Sequence, residues 1–323
     1  MNGAQNVRRG LVLGAGGVLG YNWLVAALTT WSEHTGLDPR HFEVVVGTSA
    51  GSVAAAAIGG GLHPAALLRH LRGERDPGDP SVSWDHDSSS GGALPPLPAL
   101  GLGSPELAAR VLLRPRAYPP VAVLSAFALR GRGSLEPLRG AVSGLTAGGN
   151  DWPVRPRTWI VATDYDRGRR VVFGRAAHGV PPAELSYAVA ASCSIPGWYE
   201  PVLIGGRRFV DGGVCSTTSA DLLADEGLDE VTVLMPLGLR VPDRAWHPLV
   251  RTERCVRRLA TRRTLREIVR LRAAGTRVTL LTPDAEVLSA MGWNVMDHRR
   301  RNRVLDASLR TTARAWRQGL EAA

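Results

Sequence analysis

Short aliphatic runs recur along this 323-residue chain, each followed by small residues and then by apolar positions at helical spacing. Residues 11–13 (Leu-Val-Leu) form the first run, and Trp23, Leu24, Ala27, Leu28 and Trp31 then mark a helix over 21–31. The run Val44-Val45-Val46 predicts a buried strand, and Ala54 to Ala57 begin a helix after it. Strands are also predicted at 158–162, 170–173, 230–234 and 278–281, with a hairpin of 202–204 and 207–210 around Gly205-Gly206. A helix is predicted over 182–191, and the tail after Pro283 reads as helical.

Two regions depart from this rhythm. Between 75 and 104, Asp76-Pro77-Gly78-Asp79-Pro80, a Ser/Gly run at 88–92 and Leu94-Pro95-Pro96-Leu97-Pro98 cannot be regular structure. Short helices are predicted beyond them at 105–113 and 121–129. The whole stretch, 75–130, is either a flexible surface insertion or a cap over a site, with Leu94, Leu97, Leu100 and Leu102 as an apolar lip. The second region is a basic helix over 251–274, with Leu259, Leu265, Ile268, Val269 and Leu271 as its apolar side. It is either a solvated surface helix or one that lies on a membrane.

Candidate chemistry begins where the second strand ends, in Gly47-Thr48-Ser49-Ala50-Gly51. The pattern G-x-S-x-G also arises by chance where glycine is abundant, but strand, sharp turn and helix are the setting in which it forms a nucleophile elbow. Gly47 and Gly51 leave room where strand and helix pass closely, and Ser49 is the predicted nucleophile. The first strand runs into Gly14-Ala15-Gly16-Gly17-Val18-Leu19-Gly20. A dinucleotide phosphate loop is excluded there, because Leu19 occupies the third glycine position and no strand-ending acid follows at the expected distance. An oxyanion hole fits better, since helix N-terminal amides are free to donate.

A base for Ser49 comes from one of three places. His247 and His298 follow the nucleophile but sit in no sharp motif. Asp211 ends a strand and is followed by Gly212 and Gly213, which keep the space before it clear; a plain Asp-Gly turn is the other reading. A carboxylate is a weak base for a hydroxyl, so this pairing requires direct contact in a partly desolvated pocket.

The formal charge is +10, and every basic residue is Arg. That excess is either compositional or an attraction to anionic surfaces such as lipid headgroups. No nucleic-acid-binding signature accompanies the arginines, so no nucleic-acid partner is expected. Cys193, Cys215 and Cys255 are widely spaced, predicting reduced thiols, no metal site and a cytoplasmic setting. Neither a signal peptide nor a membrane-spanning run is read, so any membrane contact is expected to be peripheral.

Five stretches in order resemble the patatin-like phospholipase family. They are the loop at 14–20, the elbow at 47–51, Ala162-Thr163-Asp164, the corner Ala191-Ser192-Cys193-Ser194-Ile195-Pro196, and Asp211-Gly212-Gly213. The similarity covers about residues 8–215. It implies one domain over 1–323, a three-layer α/β/α sandwich with a mostly parallel sheet, an irregular insertion at 75–130 and a helical part at 246–323. It further implies a Ser49–Asp211 dyad without histidine, an acyl-serine intermediate, and an oxyanion hole of the Gly16, Gly17 and Val18 amides. Gly14, Gly20, Gly47, Gly51, Gly212 and Gly213 support the motifs, and no cofactor is implied. The expected activity is hydrolysis of lipid carboxylic esters of the phospholipase A, lysophospholipase or esterase type. An acyltransferase using the same acyl-serine is one alternative; a weak catalyst that binds membrane surfaces is another. Two positions depart from the family pattern: Ala15 replaces a glycine, and Leu19 replaces a cation that fixes the loop.

Overall fold

A computed structural model describes residues 7–74, 94, 96–145, 152–240 and 247–319. Its strands, in chain order, are β1 (Arg9–Leu13), β2 (Val44–Thr48), β3 (Ala99–Leu102), β4 (Leu129–Arg130) and β5 (Arg157–Asp164). There follow β6 (Arg169–Phe173), β7 (Val202–Ile204), β8 (Arg207–Asp211), β9 (Glu230–Leu234) and β10 (Arg277–Leu281). The helices are α1 (Gly17–Thr35), α2 (Ala50–Gly59), α3 (Pro64–Arg72), α4 (Pro105–Leu113) and α5 (Pro120–Ala126). The remaining ones are α6 (Glu136–Ser143), α7 (Leu185–Cys193), α8 (Pro248–Ala273), α9 (Ala285–Met291) and α10 (Arg301–Arg317).

Strands β10, β9, β1, β2 and β5 pair in that order and are all parallel, while β6, β7 and β8 add antiparallel partners. A parallel sheet is covered on both faces, which is why its strands read as unbroken apolar runs. Alternation sorts them. Leu11, Leu13, Val45, Ile160 and Ala162 pack beneath α1, α2 and α7, whereas Val12, Val44, Val46, Trp159 and Val161 meet Ile268 and Leu271 of α8. The result is the expected three-layer α/β/α sandwich. On its first face α10 lies along α1, where the Thr30 and Thr312 hydroxyls hydrogen-bond at 2.8 Å.

Two expectations need correction. Within 75–104, expected to hold no regular structure, Ala99–Leu102 is a strand: β3 pairs antiparallel with β4. The helices expected at 105–113 and 121–129 are present as α4 and α5 and pack Leu107, Ala108, Val111, Ala122 and Ala126 around Tyr165 and Val210. Residues 75–93 and 95, which hold most of the Pro/Gly/Ser runs, lie outside the described residues. The apolar side assigned to α8 is also wrong. Leu259, Leu265 and Val269 face solvent, and the buried side runs Arg254, Arg257, Thr261, Thr264, Glu267, Ile268, Leu271.

That polar face is buried because it is fully partnered. Glu267 accepts the Ser216 hydroxyl at 2.6 Å, the Thr218 hydroxyl at 2.8 Å and the Ala220 amide at 3.0 Å. Arg257 donates to the Pro236 carbonyl at 2.6 Å and pairs with Glu253. Hydropathy alone hid this face, since burial of charge depends on distant partners. Among the described residues no single helix is long and apolar enough to cross a membrane.

Replacing Glu267 by Leu strands three buried donors, so the variant should lose about 3 kcal/mol of unfolding free energy. Urea denaturation followed by far-UV circular dichroism measures this; a midpoint equal to that of the wild type would contradict the assignment of Glu267 as the anchor of 216–220.

Candidate active site

Strand β5 brings the predicted site together. Its residues Ile160 and Val161 pair with β2 on one edge and β6 on the other, and residues 162–164 pair with β6 and β8. Strand β8 therefore takes over the edge of β5 at the point where β2 stops. Thr48 lies opposite Val161 and Asp211 lies opposite Ala162. A register one residue long thus separates the end of one strand from the end of the other, and Ser49 follows Thr48 directly.

Ser49 has φ 54° and ψ −122°, a conformation that a non-glycine residue seldom adopts. Turning so sharply drives α2 against the end of β1, and any side chain on Gly51 would overlap the Leu13 carbonyl oxygen. Ser192, from the corner at 191–196, clamps the turn. Its hydroxyl donates to the Val161 carbonyl at 2.6 Å and accepts the Ser49 amide at 2.8 Å.

The Ser49 hydroxyl lies beside the Asp211 carboxylate and favours its charged form. Asp211 also accepts the Gly213 amide at 2.7 Å, and its own backbone is held by Ser194 (N–H to O, 2.8 Å) and Thr163 (hydroxyl to O, 3.0 Å). Gly212 crosses β5 so closely that a Cβ would overlap the Val161 carbonyl oxygen. Burial pushes the Asp211 carboxyl up to about 6, only partly opposed by the Ser49 hydroxyl and the Gly213 amide. Burial, with the Asp211 charge nearby, pushes the Cys193 thiol up to about 12 and raises the Tyr199 phenol as well. Asp164, by contrast, ends β5 bound to Arg207 and to the Arg167 amide.

The glycine loop borders the elbow, with Gly14 beside Gly51. Gly14 and Ala15 give their amides to Leu234 O and Thr217 O, at 2.9 and 2.8 Å. Gly16, Gly17 and Val18 donate to no group among the described residues, as the first turn of a helix requires. Leu19, where the family pattern has a cation, is fully buried, and its amide donates to Val295 O at 2.9 Å. Val295 and Met296 cover Gly17, while Pro236, pinned by Arg257, packs on Gly16 and Gly20. These apolar walls hold the loop where the family pattern has a cation to fix it.

His247 caps α8 by accepting the Leu249 amide, and His298 lies in the turn before α10. Among the described residues no three His, Cys, Asp or Glu side chains are grouped to hold a metal ion. The sequence pointed to the corner at 191–196 but not to the part Ser192 plays; a hydroxyl at the end of a small-residue helix was the available signal. Pro236, Arg257, Val295 and Met296 carried none, because each reaches the loop from far along the sequence.

Ser192→Ala should leave the fold intact yet slow fluorophosphonate labelling of Ser49 by roughly tenfold, the worth of one buried hydrogen bond. An unchanged labelling rate would show that the elbow holds its strained turn without the clamp.

A family model described as patatin-like phospholipase matches residues 11–224, about two thirds of the chain. Among solved structures, the chain is similar to VipD from Legionella pneumophila at 14% identity and a TM-score of 0.42, over 97% of this chain and 67% of that one. It is also similar to the type III effector protein ExoU at 17% identity and a TM-score of 0.35, over 96% of this chain. It covers 53% of ExoU's length. No curated protein matches by sequence.

Proposed function

The chain belongs to the patatin-like phospholipase family, and from that premise we propose that Ser49 and Asp211 are the catalytic pair of a lipid acyl hydrolase working through an acyl-serine. The observation that carries this is the one-residue step along β5 that ends β2 at Thr48, just before Ser49, opposite Val161 and ends β8 at the buried Asp211 opposite Ala162. Ser49 Oγ attacks the ester carbonyl carbon as Asp211 takes its proton. The carbonyl oxygen, now negative, lies against the free amides of Gly16, Gly17 and Val18. Collapse expels the alcohol, which leaves with the proton from Asp211, and the acyl group stays on Ser49. A water molecule then gives Asp211 a proton as its oxygen attacks the acyl carbon. Ser49 leaves with that proton, releasing the free acid.

Burial does for this carboxylate what an imidazole does elsewhere. An ordinary aspartate is too weak a base for a hydroxyl; one raised to about 6 matches the working pH more closely. The amides supply the larger share, each worth ~3 kcal/mol of transition-state stabilisation. One domain over the chain's length, with 75–130 as a surface insertion or a cap and 246–323 as a helical C-terminal part, is the arrangement this reading favours. The partners it implies are a lipid or acyl ester and, for long-chain substrates, a membrane surface.

Ser49→Ala and Asp211→Asn should each abolish hydrolysis of p-nitrophenyl butyrate while leaving the thermal midpoint within a few degrees of the wild type. Retained turnover in either variant would refute the pair. Asp211 must be ionised to accept a proton, so kcat/KM should fall as pH drops through about 6 and level off above it. A profile flat from pH 5 to 8 would contradict the role of this carboxylate as base.

A further inference from the structure

The lobe built by β3, β4, α4 and α5 exposes apolar side chains that its own core does not need. Leu97 is 87% exposed, Leu100 95%, Leu112 74%, Leu113 83% and Leu124 72%. The inward set of the same lobe, Leu107, Ala108, Val111, Ala122 and Ala126, is already packed on Tyr165 and Val210. Among the exposed leucines stand Arg110, Arg114, Arg116, Arg130 and Arg132, all exposed and without a carboxylate partner among the described residues. Glu106 is the one acidic residue between 96 and 134, and Arg208 already holds it.

Leucines without cover beside arginines without counterions are what the boundary of an anionic bilayer accommodates, since its acyl region accepts the first and its phosphate layer the second. The exposed side of α8 is a weaker fit. Its arginines are more numerous, but Arg270 already pairs with Asp221 and Arg263 with Glu267, and its exposed apolar residues are separated by charges. Position also favours the lobe. A cavity of about 410 Å³ runs from Ala99, Leu129 and Arg130 to Tyr199, whose phenol feels the Asp211 charge. The isolated pairing of Gly133 with Tyr199 ties this wall to the end of β4.

We infer that residues 96–132 form the face by which the protein sits on an anionic phospholipid bilayer, leucines entering the acyl boundary and arginines meeting phosphates. The surface would present the cavity mouth to lipid, and it rests on the reading of the site as a lipid hydrolase. Binding is tested separately from turnover, in a Ser49→Ala background, by co-sedimentation with phosphatidylcholine vesicles with and without phosphatidylglycerol. Protein should partition onto the phosphatidylglycerol vesicles and leave them at high salt. Adding Leu97→Ser, Leu100→Ser and Leu113→Ser should weaken partitioning by roughly tenfold or more. Arg110→Gln, Arg114→Gln and Arg116→Gln together should remove the preference for phosphatidylglycerol. In the Ser49 protein neither set should change the melting temperature or the hydrolysis of a short soluble ester, because all six side chains are exposed and a short soluble substrate does not need the bilayer face. Partitioning undiminished by the leucine set overturns the inference, as does a loss produced instead by Arg258→Gln, Arg262→Gln and Arg266→Gln on α8. Leucine-dependent self-association, read by sedimentation velocity, with vesicle binding intact also overturns it. Vesicle binding without ester hydrolysis in the Ser49 protein would sink the hydrolase reading and leave this surface standing.

Discussion

One edge of β5 serves two partners, and the remainder of the site depends on how it is divided. Strand β2 occupies it up to Val161, and β8 begins at Ala162 running the opposite way. Two strands that end head to head on a shared ladder have no freedom in where their last residues lie. Ser49 and Asp211 are consequently placed by main-chain hydrogen bonds, not by side-chain preference. The strained turn at Ser49 costs on the order of 1–3 kcal/mol. A wholly buried β2, the Ser192 clamp and the glycines that let the segments cross hold it in place.

The same dryness sets the chemistry. Asp211, Cys193 and Tyr199 all lie in low dielectric, where each resists ionising. The thiol and phenol stay neutral at ordinary pH, so the carboxylate is the negative charge of this cluster. Its counterweights are dipoles and not cations: the Ser49 hydroxyl and the Gly213 amide. Such a charge is expensive enough to be reactive and secure enough not to unfold the site.

Much of this was legible in the sequence, and for identifiable reasons. The Leu11 and Val44 runs, the elbow and Asp211-Gly212-Gly213 are local signals, and local sterics fixed what they became. The three-layer arrangement was implied by the family resemblance. Periodicity failed at α8, where Glu267 and Arg257 face inward because Ser216, Thr218 and Pro236 meet them. It was also silent on β3, too short and too exposed to announce itself as a strand. Nor did anything near Leu19 foretell Val295; the loop lost one means of support and the structure supplies another from a distant segment.

That support comes from one part of the chain. Pro236, Arg257, Val295 and Met296 all lie beyond residue 224, where the family model stops. The glycine loop therefore leans on a third of the polypeptide that the family model does not match. Exchange of the N-terminal two thirds between relatives would bring the reactive groups along and leave behind the wall they rest against. Mechanically, the segment beyond 224 and the glycine loop are a single unit, although only the loop carries a recognisable motif.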